Sequence, residues 1–109
     1  MATVICTYRV AAGNEEAFRG LLDKHWSTLD QLNLTTDEPT QVFRGEDTEG
    51  RPYFVEIFTW VSAEAPGIAH QSPEVVAVWE PMAALCEERD GRPSMEFPHV
   101  ERVALATAS

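Results

Sequence analysis

The sequence predicts an α+β domain built in the order βαββαβ, an antiparallel sheet carrying both helices on one face. Three observations carry that prediction. Apolar residues alternate with period two over Thr3 to Val10 and again over Pro52 to Val61, an apolar stripe at helical spacing runs from Phe18 to Leu32, and a second helical stretch opens at Ser72. In the first strand Val4, Cys6, Tyr8 and Val10 face one way and Ile5 and Thr7 the other, and Ala12-Gly13 ends it. Asn14 then caps a helix in which Glu15 and Glu16 favour the positive end of the dipole. Phe18, Leu21, Leu22, His25, Leu29 and Leu32 form its apolar stripe, and it runs to about Asn33. After a loop through Asp37-Glu38-Pro39, strands from Gln41 to Glu46 and from Pro52 to Val61 flank the turn Asp47-Thr48-Glu49-Gly50 and pair as a hairpin. The third strand places Glu56, Phe58 and Trp60 on one face and Val55, Ile57 and Thr59 on the other. Ser62 to Ala69 reads as a connection interrupted by Pro and Gly. The second helix starts at Ser72-Pro73-Glu74, presents Val75, Trp79, Met82 and Cys86 on one stripe, is kinked or divided at Pro81 and stops at Asp90-Gly91. Met95 to Ala104 supplies the fourth strand, broken by Pro98, which favours an edge or bulge position.

Right-handed crossovers fold this order most simply into a ferredoxin-like sheet. The face away from the helices should then be polar, yet the third strand carries Tyr53, Val55, Ile57 and Val61 on one side and Phe54, Phe58 and Trp60 on the other. An apolar open face calls for a cover, and a second copy packed sheet on sheet is the economical one, which predicts a homodimer closed into an α/β barrel.

Composition narrows the function. The 109 residues, 44% of them hydrophobic, suffice for one domain over 1–109 with its own core. Eighteen acids against eight bases give a net charge of -10, which repels phosphate backbones and anionic membranes and excludes nucleic acid as a partner. Met1-Ala2-Thr3-Val4 lacks the charge and apolar run of an export signal, and no stretch is apolar for long enough to span a bilayer, so the expected setting is cytoplasmic. Cys6 and Cys86 have no metal-binding spacing and read as reduced, buried thiols. The three His and Glu56 lack the close spacing of a metal site. There is also no Gly-rich phosphate loop and no nucleophile elbow, so neither metal nor cofactor is expected.

The residues that stand out are Glu56, Trp60 and His70. A carboxylate inside an apolar strand either takes up a proton or pairs with a cation, for which Arg9 and Arg44 on neighbouring strands are the candidates. Trp60 suits a pocket wall or a core. His70, at the entry to the second helix, acts as a base near neutral pH or caps backbone groups. His25, beside Trp26 on the first helix, reads as a hydrogen-bonded core histidine, and His99, after Pro98, as structural or interfacial.

The element order, the strand end Glu56-x-x-x-Trp60 and the helix entry His70-x-x-Pro73 with Trp79 beyond it resemble the dimeric α/β-barrel proteins grouped as antibiotic biosynthesis monooxygenase-like. The resemblance spans about Val4 to Val103. It implies a pocket between sheet and helices holding a small apolar or aromatic, polyketide-like molecule. It also implies cofactor-independent oxygenation or a related proton transfer, with His70 or Glu56 removing the proton and Trp60, Tyr8 and Trp79 orienting the ring. His25 and Phe58 complete the expected binding residues. Two positions depart from particular members: His70 stands where haem-degrading relatives typically have Trp, and Glu56 where oxygenases on polyketides commonly have Asn. The competing expectation is a binding protein with the same pocket and no turnover.

Overall fold

Alternation decides the sheet. In the computed structural model, which describes residues 2–106, β1 (Thr3–Tyr8) buries Val4, Cys6 and Tyr8, and β3 (Pro52–Thr59) buries Phe54, Glu56 and Phe58, all toward the helices. The two strands pair antiparallel with Cys6 opposite Glu56 and Tyr8 opposite Phe54. β2 (Gln41–Glu46) pairs with β3 through the expected hairpin. Its turn is built by Asp47, whose Oδ1 accepts the backbone N–H of Glu49 and of Arg51, and by Gly50, whose φ of +79° suits glycine. β4 (Met95–Glu96) and β5 (His99–Val100) run beside the other edge of β1, giving the order β2-β3-β1-β4 with β5 also on β1. This is the ferredoxin-like arrangement. Positions 1 and 107–109 of the expected domain lie outside the described residues.

α1 (Glu15–Gln31) buries Phe18, Leu22, His25 and Leu29, the spacing of one helix face. Asn14 sits at its start without capping it by side chain, since Nδ2 donates instead to the carbonyl of Leu85 at 3.2 Å. The connection expected after β3 holds a helix of its own, α2 (Ala65–Gln71). Pro66 falls in its first turn, where the missing N–H has no role, and Ala65 and Ala69 bury one turn apart. α3 (Pro73–Ala84) follows directly, buries Val75, Val78 and Met82, and continues through Pro81 without dividing. Ser72 takes the cap position, but its hydroxyl bonds Glu74 at 2.7 Å rather than a backbone N–H. Cys86 lies beyond α3, where its backbone bridges Val10, and β1 stops two residues short of that bridge. The single strand expected from Met95 to Ala104 is instead the two short strands β4 and β5, separated at Phe97-Pro98. The proline interrupts pairing on an edge, where the lost ladder bond matters least.

The core fills the space between the sheet and the helices. The opposite face of the sheet is apolar, with Ile5, Val55 and Ile57 half-buried and Phe43 54% exposed. Tyr53 covers Gly45 on this face so closely that a Cβ there would come within 2.5 Å of its ring. Among the described residues no helix is long and apolar enough to cross a membrane.

Candidate active site

Register and helix phase together bury one carboxylate. Glu56 alternates inward with Phe54 and Phe58, is 0% exposed, and lies beneath α1, where His25 falls on the buried stripe at 2% exposed. Its Oε1 accepts the hydroxyl of Tyr8 at 2.7 Å and faces His25 Nδ1 at 3.0 Å, with Oε2 at 3.3 Å from the same nitrogen. The far nitrogen of that imidazole, Nε2, accepts the indole N–H of Trp79 at 2.8 Å. One chain of hydrogen bonds thus runs from β1 through β3 and α1 to α3.

The donors assign the protons. An indole N–H only donates, so Nε2 holds a lone pair and the imidazole is the neutral tautomer that donates from Nδ1 to Glu56. Burial, reinforced by the charge of Glu56, raises the Tyr8 hydroxyl well above its ordinary value, so it keeps its proton and donates. Burial, and then the same carboxylate, also push the Cys6 thiol up. A thiol held protonated is a poor nucleophile.

Beside this chain lies a cavity of about 330 Å³ between the sheet and the helices. Phe58 and Trp60, in edge-to-face contact at 5.0 Å, form part of its sheet wall, and Trp79 forms part of its helix wall. His25 lines the cavity, whereas Glu56 and Tyr8 stand behind it and do not. The indole N–H of Trp60 is buried with no hydrogen-bond partner among the described residues.

The structure therefore sorts the expected residues. It joins Glu56, His25, Tyr8 and Trp79 in one network and sets Phe58 and Trp60 on the adjoining wall. His70 is in the last turn of α2, not in a loop, and packs on Trp79 at 4.8 Å on the exposed side of the cavity. Its side chain makes no hydrogen bond among the described residues. The cation partners expected for Glu56 are engaged elsewhere: Arg9 bonds Glu96 at 2.6 Å and the Pro93 carbonyl, and Arg44 bonds Glu15 and Glu46. His99, expected as structural or interfacial, lines the cavity, because its pairing with Val4 turns it toward the helices. All three histidines of the chain thus border one cavity. Yet among the described residues no three His, Cys, Asp or Glu side chains converge as a metal site requires.

Sequence reasoning missed the bond between His25 and Glu56. The inward phase of each residue was readable, but which helix residue meets which strand residue depends on how α1 lies across the sheet. Local spacing does not encode that.

No family model matches the sequence, and no curated protein matches it. Solved structures do. One, described as an antibiotic biosynthesis monooxygenase, superposes with a TM-score of 0.73 at 15% identity, covering 95% of this chain and 100% of that one. A dimeric ferredoxin-like protein of unknown function from Jannaschia sp. CCS1 gives 0.70 at 13% identity, covering 93% and 98%. A variant of SnoaB, a cofactor-independent oxygenase from Streptomyces nogalater, gives 0.68 at 12% identity, covering 97% and 96%. At such identities the likeness is one of fold, and this fold is shared across nearly the whole chain.

Proposed function

We propose that this chain binds a small, mostly apolar phenol or enol in the cavity between sheet and helices, and that His25, backed by Glu56, removes the hydroxyl proton. The carrying observation is the imidazole itself. One nitrogen is fixed on a carboxylate and the other meets Trp79, which lines an apolar cavity together with His25, the arrangement that orients a general base and stabilises the imidazolium it becomes. We assign the base to His25 in place of His70. His70 then borders the bound ring, and Trp60 and Phe58 hold its face.

The resulting anion is electron-rich at ring carbon, and dioxygen is the co-reactant that makes the step a monooxygenation. A carbon–oxygen bond forms, the O–O bond and the ring C–H at that carbon break, one oxygen stays as a new carbonyl and the other leaves as water with that hydrogen and the hydroxyl proton, so that a phenol and O₂ give a quinone and H₂O. The oxygenases among the similar structures support this reaction class over a simple proton shift. The two free thiols suit a reducing cytoplasm. We also propose that the open sheet face, with Phe43, Val55 and Ile57 on it, is covered by a second copy, a reading supported by a neighbour described as dimeric. Light scattering at micromolar concentration then reads twice the monomer mass.

The test of the reaction is a thermal-shift screen of hydroxylated aromatics followed by oxygen uptake on each binder. His25→Ala should lower turnover by about 10²-fold or more, the usual contribution of a general base, while His70→Ala changes it by less than about tenfold. Turnover that survives the loss of His25 and fails with the loss of His70 would move the base to His70. Binders without oxygen uptake would make the chain a binding protein.

A further inference from the structure

The lone pair that would take the proton is already in use. His25 Nε2 accepts the indole N–H of Trp79 at 2.8 Å, and no second lone pair exists on a neutral imidazole whose Nδ1 carries its proton toward Glu56. A ligand hydroxyl can reach the base only by taking Trp79's place. Both side chains line the cavity, so the exchange occurs where a ligand would sit. Trp79 is half-buried in α3, between His25 at 6.1 Å and His70 at 4.8 Å ring to ring, and its N–H is the only polar atom it has. Once released into an apolar, partly desolvated site, that N–H must find a new acceptor, because an unsatisfied buried donor is strongly disfavoured.

We propose that Trp79 is a second catalytic residue: its indole N–H caps the base in the empty protein and passes to the ligand oxygen when the hydroxyl displaces it. The inference rests on the reading of His25 as the base. The exchange balances. The hydroxyl donates to Nε2 and accepts from Trp79. When the proton moves to Nε2, the ligand oxyanion is held by two donors, the imidazolium N–H and the indole N–H, in a site whose water is largely replaced by aromatic side chains. Among the described residues no lysine or arginine lines the cavity, and its remaining titratable groups are Glu80, the neutral thiol of Cys6, and His70 and His99, both exposed.

The exchange also selects the ligand class. Only a group that both donates and accepts satisfies the two partners that its arrival separates, as a hydroxyl does. A carbonyl accepts from Trp79 but leaves Nε2 bare, an ammonium fills Nε2 but strands the indole, and a methyl ether cannot donate at all. Phenols and enols pass this test, and ketones, ammonium ions and aryl ethers do not.

4-Nitrophenol is the probe, since its phenolate is coloured and its ionisation can be read while bound. The wild-type protein should bind it with a bound pKa below that of the free phenol. In Trp79→Phe, which keeps an aromatic ring and loses the N–H, the bound pKa should rise by about one unit relative to wild type, a tenfold weaker preference for the phenolate. Affinity for 4-nitroanisole, which has no hydroxyl, should stay within about twofold between the two proteins, as its binding leaves the cap in place. The wild-type protein supplies a second reading that needs no variant. The indole N–H proton resonance of Trp79 should stay at a hydrogen-bonded position when nitrophenol binds, because its partner changes from nitrogen to oxygen, and nitroanisole should leave it unmoved. A wild-type protein that stabilises the phenolate while Trp79→Phe does so equally, or an indole resonance that moves to an unbonded position on nitrophenol binding, overturns the role of Trp79 and leaves His25 as the base. Failure of the wild-type protein to bind nitrophenol or to stabilise its phenolate overturns the base and the cap together.

Discussion

Two carboxylates of this chain make the molecule's chemistry legible by contrast. Asp47, at the hairpin turn, keeps 27% of its side chain exposed and is surrounded by permanent partners: the N–H groups of Glu49 and Arg51, the guanidinium of Arg51 at 2.8 Å and that of Arg89 at 3.6 Å. It belongs to a polar cleft of about 650 Å³ that also gathers Arg9, Arg51, Arg89 and Arg92, half of the eight basic residues in the sequence. Arg89 shows what that cleft is for. Only 4% exposed, it ties the carbonyls of Pro52 and Val10 together and joins strand ends to the turn at 89–92. Glu56 is buried more deeply than any of these and has no guanidinium or ammonium partner among the described residues. It is given a phenol and an imidazole, groups through which a proton can move. Half of the chain's fixed positive charge gathers at this cleft, and among the described residues none of it lines the cavity, where a fixed cation would hold the carboxylate without exchanging a proton.

The largest effect expected from breaking this contrast is at Glu56. Glu56→Leu strands the Tyr8 hydroxyl and the His25 N–H among apolar side chains, and urea denaturation should show a loss of about 2–5 kcal/mol. Asp47→Asn keeps the turn acceptor Oδ1 but loses the charge and the Oδ2 that accepts from Arg51, so its melting temperature should fall slightly and oxygen uptake should be unchanged. The pH dependence sharpens the same point. Hydrogen bonds to Asp47, first that from the Arg51 backbone N–H, hold its carboxyl below its ordinary 3.8. The unfolded chain therefore binds the proton first on acidification. The contribution of Asp47 is complete above 3.8 and is lost as pH falls through its lower folded value. Acid titration of wild type against Asp47→Asn should show part of the stability loss below about pH 4 missing in the variant. An equal loss in both would remove Asp47 from the set of acid-sensitive groups.

Much of this contrast could be read from the sequence, and the part that could not has physical causes. The phase of β3 follows from alternation alone, so the inward placement of Glu56, Phe58 and Trp60 was legible, as were β2, the Asp47 turn and the length of α1. Arginine partners for Glu56 were reasonable by composition, but register decides otherwise. Cys6 and Val42 stand opposite Glu56, Arg44 stands opposite Phe54, and Arg9 lies past the end of β1. α2 was hidden because Pro66 and Gly67 look like breaks until the helix start is known to fall at Ala65, which puts the proline in the first turn. His25 was legible as a satisfied buried histidine but not as the partner of Glu56, and the place of His99 on the cavity wall was not legible because its strand is too short to show its phase.

The central claim is that the bond between Glu56 and His25 serves proton transfer rather than support, and Glu56→Gln tests it most directly because the amide keeps the shape, can still accept from Tyr8 and lacks the charge that stabilises an imidazolium. Oxygen uptake with a phenol that the wild-type protein oxidises should fall by about 10²-fold or more in this variant, with the fold intact and phenol binding retained. Full oxygen uptake from a Glu56→Gln protein that melts several degrees lower would contradict the claim and make the pair a structural one.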